Sequence, residues 1–122
     1  MNEQKKTLIL GASDNPSRYS YLAIKRLRSH GHPVKAIGRK HSFVDDTEIM
    51  TEKKPLEGID TITLYMNSLH QQEYYNYILS LRPKRIIFNP GAENDELAEL
   101  AAQKNIETIE ACTLVMLSTN QY

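Results

Sequence analysis

The stretch Thr7-Leu8-Ile9-Leu10-Gly11-Ala12-Ser13-Asp14-Asn15-Pro16-Ser17-Arg18 decides the fold. A short apolar run ends at a glycine, and a polar turn then leads into an amphipathic segment, Ser20 to Ser29. In that segment Ala23, Ile24 and Leu27 share one helical face, and Lys25, Arg26 and Arg28 share the other. Gly31 is placed to end the helix. A strand, a tight turn and a crossover helix are the repeating unit of a parallel sheet.

Outward from this unit the alternation continues. Pro33 to Gly38 reads as a second strand, and the polar stretch from Arg39 to Gly58 carries no assignable element until a turn at Lys54 to Gly58. Thr61 to Met66 reads as the third strand. Leu69 to Leu81 reads as a helix with Tyr74, Tyr77, Ile78 and Leu81 at helical spacing. Arg82-Pro83 closes it, because proline disfavours helical backbone in the residue before it. Arg85 to Phe88 is the fourth strand, ending at Asn89-Pro90-Gly91.

Asn94 is placed to cap a helix from Asp95 to Lys104, with Asp95 and Glu96 at its positive start and Leu97, Leu100 and Ala101 inward. Glu107 to Ala111 is the last strand, followed by Cys112 and the apolar Leu114 to Leu117. The expected architecture is an α/β, Rossmann-like, doubly wound sheet of about five parallel strands with helices on both faces. At 122 residues the chain is expected to form one domain, 1–122.

Composition narrows the function. Fifteen basic and fifteen acidic residues balance, so no whole-surface attraction to nucleic acid or anionic membrane is encoded. No apolar run approaches the ~18–20 residues that span a bilayer, and the polar start at Met1 to Lys6 is not that of a signal peptide. A lone cysteine agrees with a reducing compartment, so the expected location is the cytoplasm. The four histidines are scattered, with no CxxC or HExxH spacing, and no metal site is expected. No nucleophile elbow or paired-carboxylate motif is visible, so no catalytic residue is assigned.

In a doubly wound sheet ligands lie outside the C-terminal strand ends, so those ends carry the functional reading. Gly11 lets the backbone turn closely beneath a phosphate, the next helix start offers free N–H groups, and Ser13 and Arg18 add a hydroxyl and a charge. The same residues also suit a plain strand-to-helix turn, and both GxGxxG and the P-loop pattern are absent. After the second strand come Gly38, Arg39, Lys40 and His41, where NAD-binding domains usually place a carboxylate. Cations there suit the ribose phosphate of coenzyme A or NADP; a solvated charged loop is the other reading.

Asn67 with Ser68, and Asn89 with Gly91 and Ala92, are small and polar, as a groove floor requires and as ordinary turns also use. Cys112 is either a thiol facing the groove or a small core residue. Tyr74, Tyr75 and Tyr77 read as core and helix surface, and His30 and His32 as exposed turn residues.

Taken together, these strand ends resemble the CoA-binding protein family of small bacterial Rossmann-type domains, itself similar to the CoA-binding part of the succinyl-CoA synthetase alpha subunit. The resemblance runs from Leu8 to about Thr119. It rests on Gly11-Ala12-Ser13 with Pro16 and Arg18, Tyr21 entering the helix, Gly31, Asn89-Pro90-Gly91, the exit from Ala101 to Ile106, and Cys112.

The resemblance implies coenzyme A, or an acyl-CoA, across the strand ends. Gly11, Ala12, Ser13 and Arg18 would then line its diphosphate, Lys40 would sit near its adenosine phosphate, and Asn67 and Asn89 would floor the groove. Relatives commonly carry Asn-Pro after the second strand, where this chain has Gly38-Arg39. The portion that bears the synthetase's phosphorylated histidine is missing, so ligation is not expected. The reading is a small cytosolic binder of a nucleotide cofactor without a reaction of its own. Two alternatives stand beside it: an NADP-dependent oxidoreductase or its cofactor domain, and a homo-oligomeric regulatory protein with a vestigial groove.

Overall fold

In the computed structural model, which describes residues 3–122, the opening run becomes the central strand, β1 (Thr7–Ala12). Buried on both faces, it sends Leu8 and Leu10 into one core and Ile9 into the other. Helix α1 (Tyr19–Ser29) buries Ala23, Ile24 and Leu27 and exposes its cations, as the periodicity requires. β2 (Val34–Gly38) then lies parallel to β1 on one side, and β5 (Thr61–Leu64) lies parallel to it on the other. β6 (Arg85–Phe88) and β7 (Glu107–Glu110) extend the β5 side in parallel.

The sheet is doubly wound, but it has seven strands rather than five, in the order β3-β4-β2-β1-β5-β6-β7. The two additional strands, β3 (Ser42–Val44) and β4 (Thr47–Met50), form an antiparallel hairpin inside the stretch that carried no assignment. Its inward residues Val44, Thr47 and Ile49 are buried, while polar neighbours and the Asp45-Asp46 turn dilute the apolar signal. β4 pairs in parallel with β2, which leaves β3 as the antiparallel edge.

Two further expectations are corrected. The helix expected from Leu69 to Leu81 is broken into α2 (Ser68–Gln71), a 3₁₀ turn at Gln72–Tyr74, and α3 (Tyr75–Ser80). The break lets Gln71 turn inward, where it is fully buried. His32 is buried rather than exposed, accepting the Lys5 amide at Nδ1 (3.0 Å) and packing 4.9 Å from the Tyr122 ring.

α3 and α4 (Asp95–Ala102) cover the face bearing Ile62, Leu64, Ile86 and Phe88. α1 and α5 (Thr113–Ser118) cover the face bearing Ile9, Ala36 and Ile49. Each fully buried side chain of this size contributes ~1.5–3 kcal/mol by leaving water. Asn94 caps α4 as expected, its Oδ1 accepting from the Leu97 amide at 3.1 Å. No helix among the described residues is long and apolar enough to cross a membrane.

Candidate functional site

β1 is where the strand order reverses, to β2 on one side and β5 on the other, and a groove of about 760 Å³ opens at the C-terminal ends around it. That volume lies in the range of sites for small molecules and cofactors. Two glycines contribute backbone to its lining. Gly11 has φ +87°, and a Cβ there would lie 2.9 Å from the carbonyl carbon and oxygen of Tyr65. A Cβ on Gly38 would collide with the carbonyl oxygen of Ala12. Neither position has room for a side chain, so the rim of β1 and β2 presents bare backbone.

The loop between Gly11 and α1 is braced from within. Ser13 Oγ accepts from the Asn15 amide (3.0 Å), and Asn15 Oδ1 accepts from the Ser17 amide (3.0 Å) and hydroxyl (2.8 Å). α1 then begins with Arg18 at the cap position, with no side-chain cap and no acidic residue in its first turn. Its first amides and the positive end of its dipole are thus open to an anion.

Charge is concentrated at the rim. Arg18, Arg39 and Lys40 line the groove, accompanied by Asp14 and Glu73. Asp14 Oδ2 accepts from the Ser42 hydroxyl (2.7 Å) and lies 3.4 Å from Lys40 Nζ. The Ser42 hydrogen bond, and then the Lys40 charge, hold the Asp14 carboxyl below its ordinary pKa, so it is ionised at neutral pH. Arg39 Nη2 reaches 3.4 Å toward His70 Nε2, linking the end of β2 with α2.

Gly11, Ala12 and Ser13 therefore share one cavity with Gly38, with the three cations, and with Asn67 and Gly91 at the ends of β5 and β6. Tyr21, His41, Ser68, Asn89 and Cys112, all singled out from sequence, lie off the groove lining. Asn89 is buried, donating to Thr63 Oγ1 (2.6 Å) and the Leu64 carbonyl (2.9 Å) and accepting from the Thr113 amide (2.9 Å). It ties β5 and β6 to the start of α5. Cys112 is half-buried at the cap position of that helix. Tyr21 is partly buried against the α1–α5 core, with Lys25 Nζ 5.8 Å from its ring centroid.

Other lining residues escaped the sequence reading. Met66 and Tyr74, packed on the core of one sheet face, form a wall on the β5 side with His70, while Tyr65 also lines the groove but packs on the core of the opposite face. The Tyr65 hydroxyl is buried without a hydrogen-bond partner among the described residues, and burial raises its pKa far above the ordinary value. Gln71 supports this wall from behind: its Nε2 donates to the carbonyls of Met66 (2.8 Å) and Ala92 (2.7 Å), and its Oε1 accepts from Asn94 (2.8 Å). The sequence signal was available in Asn67, whose Oδ1 caps α2 by accepting from the His70 amide, and which thereby starts the helix beside the groove.

Known proteins sharpen the picture. A family model described as a CoA binding domain matches residues 5–118. The crystal structure of an uncharacterized protein is 53% identical, with a TM-score of 0.96 over 99% of this chain and 100% of its own. A hypothetical protein from Pyrococcus horikoshii OT3 shares 21% identity and a TM-score of 0.85, over 95% of this chain and 83% of that one. Cell-free ID.343 from Thermus thermophilus shares 18% identity and a TM-score of 0.82, over 98% and 91%. The last two establish likeness of fold alone. No curated protein matches significantly.

Proposed function

The chain belongs to the CoA binding domain family, and from that premise we propose that its strand-end groove holds coenzyme A without catalysing a reaction on it. The diphosphate would lie over Gly11, Ala12 and Ser13 against the open start of α1, with Arg18 as its charged partner. The adenosine end would run toward Arg39 and Lys40, and the thiol-bearing arm along the Met66–Tyr74 wall. The observation that carries this reading is the uncapped, acid-free start of α1, facing a groove of about 760 Å³ rimmed by three cations. A cytoplasmic location, where coenzyme A and acyl-CoA are abundant, is part of the same proposal.

NADP is the second reading, favoured by the same cations at the end of β2, which suit a ribose phosphate in either cofactor. Native mass spectrometry of the freshly purified protein, with thermal shift against CoA, acetyl-CoA, NADP and NAD, separates the two. Selective stabilisation by CoA or acetyl-CoA supports the proposal. Selective stabilisation by NADP replaces it with an oxidoreductase reading.

A further inference from the structure

The two open edges of the sheet differ in what they do to a copy of themselves. β7 reads Glu107-Thr108-Ile109-Glu110. Laid antiparallel on a second β7 about its centre, it sets Glu107 against Glu110 at both ends, which is repulsive. β3 is Ser42-Phe43-Val44, preceded by Lys40 and His41 and followed by Asp45 and Asp46. Laid antiparallel on a second β3 about Phe43, it brings Lys40 opposite Asp46 and His41 opposite Asp45. The two-fold axis repeats both pairings.

Backbone parity agrees with this register. β3 pairs with β4 so that Val44 faces Thr47 across the two-residue turn. The pair that flanks such a turn exchanges both of its hydrogen bonds, and the next pair exchanges none. Phe43 therefore turns its amide and carbonyl toward the open edge, and a second Phe43 completes them. Its side chain is 57% exposed, while neighbouring Val44 is buried in the core. Open edges are usually defended by lysine, proline or a bulge; here the centre is an exposed aromatic.

We propose that β3 is a self-association edge: a second copy of this chain adds to it antiparallel, centred on Phe43, to give one continuous sheet across a two-fold axis. The charges involved are available. The Lys40–Asp14, His41–Glu48, Lys25–Asp45 and Arg28–Asp46 contacts that hold these groups are all solvent-exposed and cost little to rearrange. The shortness of the strand makes this a dimer that forms and dissociates with concentration. Lys40 also lines the groove, so self-association and anion binding draw on one shared cation.

Sedimentation equilibrium of the full chain tests it. The expected result is a concentration-dependent monomer–dimer equilibrium that weakens with added salt. Phe43→Lys, and separately the double variant Asp45→Lys/Asp46→Lys, should weaken association at least tenfold, while Ile109→Lys on the opposite edge leaves it unchanged. Phe43→Cys in a Cys112→Ser background gives a second readout, usable even where a charged variant misfolds. Facing Cα atoms of a hydrogen-bonded antiparallel pair lie about 5.5 Å apart, within disulfide range, so mild oxidation should yield a covalent dimer. A chain that stays monomeric to millimolar concentration and forms no such cross-link overturns the proposal. A dimer untouched by the β3 variants, or a β3 edge that captures only foreign extended peptides, overturns it as well.

Discussion

Gly11 and Gly38 let β1 lie close against its neighbours, and their bare backbone forms part of the groove lining. Because Gly11 combines φ +87° with a Cβ position pressed on the Tyr65 carbonyl, Gly11→Ala has no unstrained solution. We expect it to cost about 1–3 kcal/mol of stability, measured as a lower urea midpoint, and to reduce CoA affinity as well. Arg18 and Lys40 act through charge, so Arg18→Ala and Lys40→Ala should each weaken CoA binding by about 1–3 kcal/mol with little change in urea midpoint. Asp14 works against them in the proposed anion site, where it is ionised and lies beside Lys40. Asp14→Asn should therefore tighten CoA binding, and the gain should fade as salt is raised; titration calorimetry at two ionic strengths checks the sign. Glycine and cation positions could be read from their places after strands. The collisions that make Gly38 obligatory could not, because they arise between strands distant in sequence.

Elements followed their periodicity where one face is clearly apolar. α1 and α4 agree with the spacing of Ala23, Ile24 and Leu27 and of Leu97 and Ala101. The β3–β4 hairpin was hidden because its strands are short and their inward residues alternate with charge. The break in the helix after β5 leaves no apolar signature, because Gln71, a polar residue, takes the inward place that an apolar residue usually holds. That interior network makes Asn94 more than a cap: it also donates to Gln71 and to the Tyr75 hydroxyl, each at 2.8 Å. Asn94→Ala should thus exceed the ordinary loss of a cap and reach about 2–3 kcal/mol by chemical denaturation.

Between α1 and β2, burial, and then the charges of His30, Lys5 and Arg85, hold the His32 imidazole below its ordinary pKa of 6.5. The unfolded chain then binds a proton that the folded chain refuses. Stability from this residue is complete above about pH 6.5 and is lost as pH falls through the lowered folded value. Melting curves from pH 7 to pH 5 should show wild type losing more than His32→Gln over that window; parallel curves would refute this.

At the scale of the whole molecule the doubly wound plan was legible, since alternating apolar runs and amphipathic helices admit few other arrangements. Sheet width was not, because edge strands bury little and leave little apolar signature. The groove's position followed from the plan: β1 is the switch point, and the loops around it gather Gly11, Arg18, Arg39 and Lys40 from separate parts of the chain. Asn89 and Cys112 sit after strands too, yet one is spent tying β5 and β6 to α5 and the other lies at the start of α5. A strand-end address alone does not say which way a side chain turns. We propose that this groove takes coenzyme A through the start of α1. Isothermal titration of CoA into the wild-type protein and Arg18→Ala tests it most directly. Saturable binding to the wild type, weakened by roughly 1–3 kcal/mol in the variant, is expected; no heat at millimolar CoA, or equal affinity for both proteins, would refute it.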